Sequence, residues 1–105
     1  MRYLYIIAGN TAPSKVGIAN NPEHRLKALQ TGNPTLLKIH LIIPCDNVRA
    51  LERILHKKLG RYRLKGEWFD LSPEQAILEV NWIIMHLSED LNQYLGKNAL
   101  SLAKI

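Results

Sequence analysis

A single cysteine, Cys45, leaves the chain unable to form an internal disulfide or a cysteine-based zinc site. A lone cysteine fits a reducing compartment, and a cytoplasmic setting is expected. No stretch approaches the roughly 18 consecutive apolar residues that a membrane-spanning helix needs. The N-terminus passes straight into a strand pattern, without the charged and apolar regions of a secretory leader. Acidic residues are scarce in the first half: residues 1–65 hold three, against twelve Lys and Arg, whereas residues 66–105 hold six against two. There is neither an internal repeat nor a low-complexity segment. Charged residues at 22% and hydrophobic ones at 47% exclude general disorder, and 105 residues leave room for one domain.

What the chain has in quantity is clustered positive charge. Half of the Lys and Arg fall in one stretch, Arg49, Arg53, Lys57, Lys58, Arg61, Arg63 and Lys65, with Glu52 the only acid among them. That density is the electrostatic footprint expected of a phosphate-backbone binder, or else a solvated helix face that keeps the protein soluble. With no base-reading motif beside it, binding is expected to be salt-sensitive and largely non-specific.

The stretch that organises the rest is Tyr3–Gly17, YLYIIAGNTAPSKVG. Two strand-like runs, 3–7 and 15–19, are joined by a loop carrying Gly9, Asn10 and Pro13, a hairpin pattern. Alternation puts Leu4 and Ile6 on one face and Tyr3, Tyr5 and Ile7 on the other. The face with two tyrosines and Lys15 is either a site or a wet surface. Asn21 and Pro22 then spell a helix start, with the helix ending at Thr31 before Gly32; Leu26 and Leu29 would be buried and Arg25 would sit at the border of that stripe. Residues 36–43 read as a third, central strand with Leu37, Ile39, Leu41 and Ile43 on one face.

Val48, Leu51, Leu55 and Leu59 recur at helical spacing, giving a second helix capped by Asp46 or Asn47. Glu52 and His56 lie four apart, one above the other, with Arg49, Arg53 and Lys57 as the neighbouring row. Such a group is either a phosphate and metal site or a surface pair of little energetic worth. Residues 61–65 read as a basic connector, and Glu67 to Phe69 as a short extended segment whose aromatics close the core, with base stacking as the second reading of Trp68. Ser72, Pro73 and Gln75 form a capping box. A long C-terminal helix, about 73–95, follows, with residues 97–105 as a fraying tail. Trp82, Ile83 and Met85 make this helix apolar on a second side, which suggests a homodimer through it.

In this order the residues resemble the GIY-YIG nuclease superfamily, in its phage-type branch named also after a meiotically up-regulated yeast protein. The carrying pieces are YLY (Tyr3 to Tyr5), KVG (Lys15 to Gly17), Arg25, TGNP (Thr31 to Pro34), LERILH (Leu51 to His56) and GEWFDL (Gly66 to Leu71), spread over residues 3–71 of a domain spanning 1–96. The resemblance implies an α+β fold with a small three-stranded antiparallel sheet, the hairpin plus a central strand, flanked by helices. It also implies a metal-dependent endonuclease acting on nucleic acid, DNA in the first instance, with one Mg2+ or Mn2+. Carried over, Tyr5 positions or activates the attacking water, Arg25 stabilises the scissile phosphate, Glu52 holds the metal, and His56 follows one turn later as a general acid or base or as a supporting hydrogen-bond partner.

Lys15 stands where that superfamily commonly has a second tyrosine. A lysine, with a reference pKa of about 10.4, is a poor base but a good phosphate ligand, which leaves the water to Tyr5 or Tyr3. The alternative implied by Lys15 is a catalytically inactive nucleic-acid-binding or regulatory module.

Overall fold

The computed structural model describes residues 2–86. The hairpin runs become β1 (Arg2–Ala8) and β2 (Ser14–Ala19), paired antiparallel with Tyr5 opposite Gly17 and Ile7 opposite Lys15. The first helix, α1 (Pro22–Gln30), starts where its cap predicts: the Asn21 side chain accepts the His24 N–H at 3.1 Å, and Pro22 occupies the first turn. After β3 (Lys38–Cys45) and α2 (Val48–Lys58) comes a 3₁₀ turn (Gly60–Tyr62). A small hairpin, β4 (Arg63–Lys65) and β5 (Trp68–Phe69), leads to α3 (Pro73–His86). The capping box forms as read, with the Ser72 N–H donating to Gln75 Oε1 at 3.0 Å and the Gln75 N–H to Ser72 Oγ at 3.1 Å.

The sheet corrects the sequence reading in three ways. It has five antiparallel strands in the order β3-β1-β2-β5-β4, not three. The basic connector is the 3₁₀ turn plus β4, whose three residues are all exposed and so show no alternation. Gly66, at φ +59°, opens the two-residue turn to β5, a conformation that suits glycine. Next, β3 is an edge strand rather than a central one, which is why it tolerates Pro44.

The third correction concerns which way β3 faces. The register against β1 slips between Ile6 and Ile7, which pair with Leu41 and Ile39, so His40 is the extra residue of a bulge. Its ring nitrogen Nε2 lies 3.3 Å from the Ala8 carbonyl and 3.1 Å from that of Gly9. Because of the bulge, Leu41 and Ile43 join one face of the sheet while Leu37 and Ile39 join the other.

Each face has its own layer. Leu4, Ile6 and Val16 meet Leu51, Leu55 and Leu59 of the α2 segment and Ala76, Val80, Ile83 and Ile84 of α3. The opposite face carries Tyr5, Ile7 and Leu37 beneath Leu26 and Leu29 of α1, with Trp68 at the margin. Ile83 is therefore core and does not belong to an outward patch; Trp82 and Met85 are exposed, at 59% and 61%. The part of the long helix expected beyond residue 86, and the tail, lie outside the described residues. Among the described residues no helix is long and apolar enough to cross a membrane.

Candidate functional site

The site grows out of the place where β5 stops. Only Ser14 and Lys15 of β2 pair with β5. The Val16 N–H still reaches the Glu67 carbonyl, at 3.1 Å, but the Val16 carbonyl accepts from a side chain instead, His56 Nε2 at 2.8 Å. At this open edge α2 sends Glu52 and His56 over the rim of the sheet. They meet Tyr5 and Lys15, which come from the other face.

One ligand-capable atom from each of Glu52, His56 and Glu67 falls within 4.8 Å of the others. Lys15 Nζ stands 3.1 Å from Glu67 Oε1, with the lysine buried and the glutamate half-buried, so solvent screens the pair from the Glu67 side only. Gly17 makes the approach possible. A Cβ there would lie 2.6 Å from the Tyr5 hydroxyl, 2.9 Å from Tyr5 Cζ and 3.0 Å from Glu67 Oε1. The phenol and the carboxylate occupy the space above a bare strand backbone.

The electrostatics divide the two carboxyls. Burial, then the hydrogen bond to Glu67 and the charge of Glu67, push Glu52 up to about 7, against weaker opposition from Lys15 and Arg2. Burial alone would raise Glu67 too, but hydrogen bonds from Glu52 and Lys15 and the Lys15 charge hold it below its ordinary value. The pair thus shares one proton, held on the Glu52 side. Glu52 Oε2 is buried with no hydrogen-bond partner, the kind of vacancy in bonding capacity that a cation fills. Burial also raises Tyr5, with neighbouring Arg25 opposing through a hydrogen bond and its charge. Tyr5 is accordingly a neutral phenol at physiological pH, and a hydrogen-bond donor.

A carbonyl can only accept, so His56 carries its hydrogen on Nε2. Nδ1 is then the bare nitrogen, and the Arg63 guanidinium donates to it at 3.2 Å. The His56 ring packs on Phe69, centroids 5.3 Å apart. Of the residues singled out in the sequence, Tyr5, Lys15, Arg25, Glu52, His56 and Arg63 come together. Tyr3 sits on the Tyr5 face, half-buried, with no described contact to the carboxyls. Arg49, Arg53, Lys57, Lys58, Arg61 and Lys65 are exposed around the α2 side of the site. Glu67 is the participant that the sequence reading passed over. Its signal was available: it is the first acid after Glu52, placed just beyond the glycine of a turn.

A family model, that of the T5orf172 domain, matches residues 2–84. The chain belongs to the T5orf172 family. No curated protein and no solved structure matches it. Membership corrects the superfamily resemblance, because the matching model is T5orf172 and not GIY-YIG. The pieces behind that resemblance, KVG and a Glu–His pair four apart, are short and common. The T5orf172 family is phage-related and nucleic-acid-associated, which is consistent with a nucleic-acid-related function.

For this T5orf172 domain the raised Glu52 carboxyl has two consequences with opposite signs. A divalent ion held by these carboxyls would have to displace the shared proton, so any affinity for Mn2+ should weaken about tenfold per pH unit below 7 and level off above it. Calorimetric titration between pH 5.5 and 8.5 measures this, and a flat profile would show that no proton leaves. Stability of the metal-free protein should move the other way. The folded state holds the Glu52 proton more tightly than the unfolded chain, whose ordinary value is 4.5. The stabilisation from this group is therefore full below 4.5 and is lost as pH rises through about 7.

Proposed function

We propose that this T5orf172 domain is a metal-dependent endonuclease that hydrolyses phosphodiester bonds in nucleic acid, DNA in the first instance, within the cytoplasm. The observation that supports it most is the partnerless, buried Glu52 Oε2 facing Glu67 and His56 beside a neutral phenol and two cations. The donor set suits Mg2+ or Mn2+, because the carboxylate oxygens of Glu52 and Glu67 fit either hard cation. Bound there, the ion would act as a Lewis acid on the phosphate and lower the pKa of a coordinated water.

The remaining work falls to side chains. Lys15, engaged as a cation by Glu67, supplies fixed positive charge rather than a base. Arg25 is exposed beside the Tyr5 hydroxyl, where its planar fork can take two phosphate oxygens and offset the charge that grows on them in the transition state. The protonated Tyr5 hydroxyl donates a hydrogen bond that orients the attacking water or a phosphate oxygen. His56 Nδ1 becomes available to accept a proton when Arg63 turns from it towards a phosphate. Arg49, Arg53 and Lys57, spaced four apart along α2, hold the backbone across the rim.

The test is cleavage of supercoiled DNA, single-stranded DNA and RNA with magnesium or manganese. Arg25→Ala should leave the fold unchanged, since the side chain is exposed, and should lower the cleavage rate about 100-fold. If the wild type binds these substrates and cuts none of them, the enzyme proposal falls. The ion pair that Lys15 makes with Glu67 would then favour a non-catalytic binding module.

A further inference from the structure

A cleft of about 390 Å³ has Trp68, the residue after Glu67, in its wall. Its walls are the β1–β2 loop (Gly9, Thr11, Pro13) and the α1–β3 loop (Asn33, Thr35), with Leu37 and Trp68 also in the lining. The two loops touch: a Cβ on Gly9 would come within 2.7 Å of Thr35 Cγ2. Gln30 fixes the second loop, its Nε2 donating to the carbonyls of Asn33 (3.1 Å) and Thr35 (2.9 Å). Its Oε1 accepts the Leu37 N–H at 2.8 Å.

Three features specify the occupant. The lining contains no charged residue, in a protein whose neighbouring surface is strongly basic. It contains one large aromatic, Trp68. It also has hydroxyl and amide groups at defined places: Asn33 Oδ1 is taken by the Thr35 N–H at 2.9 Å, which leaves the Asn33 amide NH₂ as a donor. A neutral lining with one indole and edge donors matches a nucleobase better than a phosphate, for which it offers no cationic side chain. The size falls within the range of small-ligand pockets.

Trp68 connects the cleft to the reacting groups. Lys15 Nζ lies 5.6 Å from the centre of its ring, and Glu67 precedes it in the chain. We infer that the cleft receives one unpaired base, stacked on Trp68, of the nucleotide next to the phosphate held at Lys15 and Arg25. A base inside a duplex cannot enter such a cleft without leaving the stack. The substrate is thereby a single strand, an end, or a site where a base swings out. The inference rests on the endonuclease proposal for the identity of the neighbouring phosphate site.

Binding without catalysis tests it separately. In a Trp82→Phe protein, Trp68 is the only indole, and its fluorescence is followed in EDTA as a single-stranded DNA pentamer is added. The comparison ligand is the same pentamer built wholly from abasic tetrahydrofuran units. The natural pentamer should quench Trp68 and bind about tenfold more tightly than the abasic one. Asn33→Ala, which alters an exposed-side loop rather than the core, should weaken the natural pentamer and leave the abasic one unchanged. Equal affinities for the two pentamers, or tighter binding of a blunt duplex than of the single strand, would overturn the inference. Cleavage with magnesium is assayed on the same proteins. Cleavage together with equal pentamer affinities removes the base cleft and keeps the nuclease; base-dependent quenching without cleavage removes the nuclease and leaves a base-binding module.

Discussion

Replacing Glu52 by glutamine is expected to abolish divalent-metal binding and to lower cleavage by at least about 100-fold, while raising the melting temperature. The two effects have one cause. In the metal-free protein Glu52 and Glu67 compete for a single proton in a half-buried setting, and Glu52 Oε2 has no partner. Glutamine keeps the shape and one hydrogen-bond donor towards Glu67 but removes the charge whose desolvation opposes folding. It also removes an anionic ligand that a hard cation requires. Thermal unfolding in EDTA at pH 8, paired with manganese titration, measures both. A variant that binds manganese as the wild type does would sink Glu52 as a metal ligand, whatever its stability.

Gly17→Ala should cost about 1–3 kcal/mol of stability, the usual penalty for overpacking, and should reduce activity by more than that loss explains. The added methyl meets a buried tyrosine at its hydroxyl and at Cζ. Tyr5 lies across from Gly17 in the hairpin register and cannot swing free, because Ile7, Leu37 and α1 pack around it. Displacement moves the phenol away from Glu67, so geometry is lost along with packing. The double variant Gly17→Ala with Tyr5→Phe, which removes the closest of these atoms, should be more stable than the sum of the single costs predicts. Strict additivity in denaturant titrations would contradict the clash as its origin.

How much of this was legible in the sequence depended on the range of the physics involved. Local signals read correctly: the Asn21–Pro22 start of α1, the capping box at Ser72 and the tyrosine hairpin each depend on residues a few positions apart. The buried stripe of α2 was legible because it repeats over several turns. The β4–β5 hairpin was not, since two strands of three and two residues leave no period to detect. The facing of β3 failed for a different reason. Its apolar alternation is continuous in the sequence, and only the bulge at His40, fixed by pairing with β1 about thirty residues away, divides it between two layers.

For the site, Glu52 and His56 were visible as a helical pair with a nearby row of cations. Their meeting with Glu67 was hidden, because it takes place over an open strand edge that exists only once β5 ends early. Trp68 illustrates the same limit. Read from sequence as a core residue, it packs at the margin of one layer and also lines a cleft. Both environments draw on the same hydrophobic character.

The brevity of β5 also sets how the site comes apart. Glu67, Trp68 and Arg63 all ride on a hairpin joined to β2 by two residue pairs, Ser14 with Phe69 and Lys15 with Trp68, and by the Val16 N–H to the Glu67 carbonyl, and pinned by the fully buried Phe69 ring. A segment with so short a ladder is expected to open before the whole domain does, and amide exchange measures whether it forms a separate cooperative unit. One such opening withdraws a carboxylate, an indole and a guanidinium in a single event. Such an opening would take Glu67 from the carboxyl cluster and Trp68 from the cleft at once, while Glu52, His56 and the two cleft loops stayed with the scaffold.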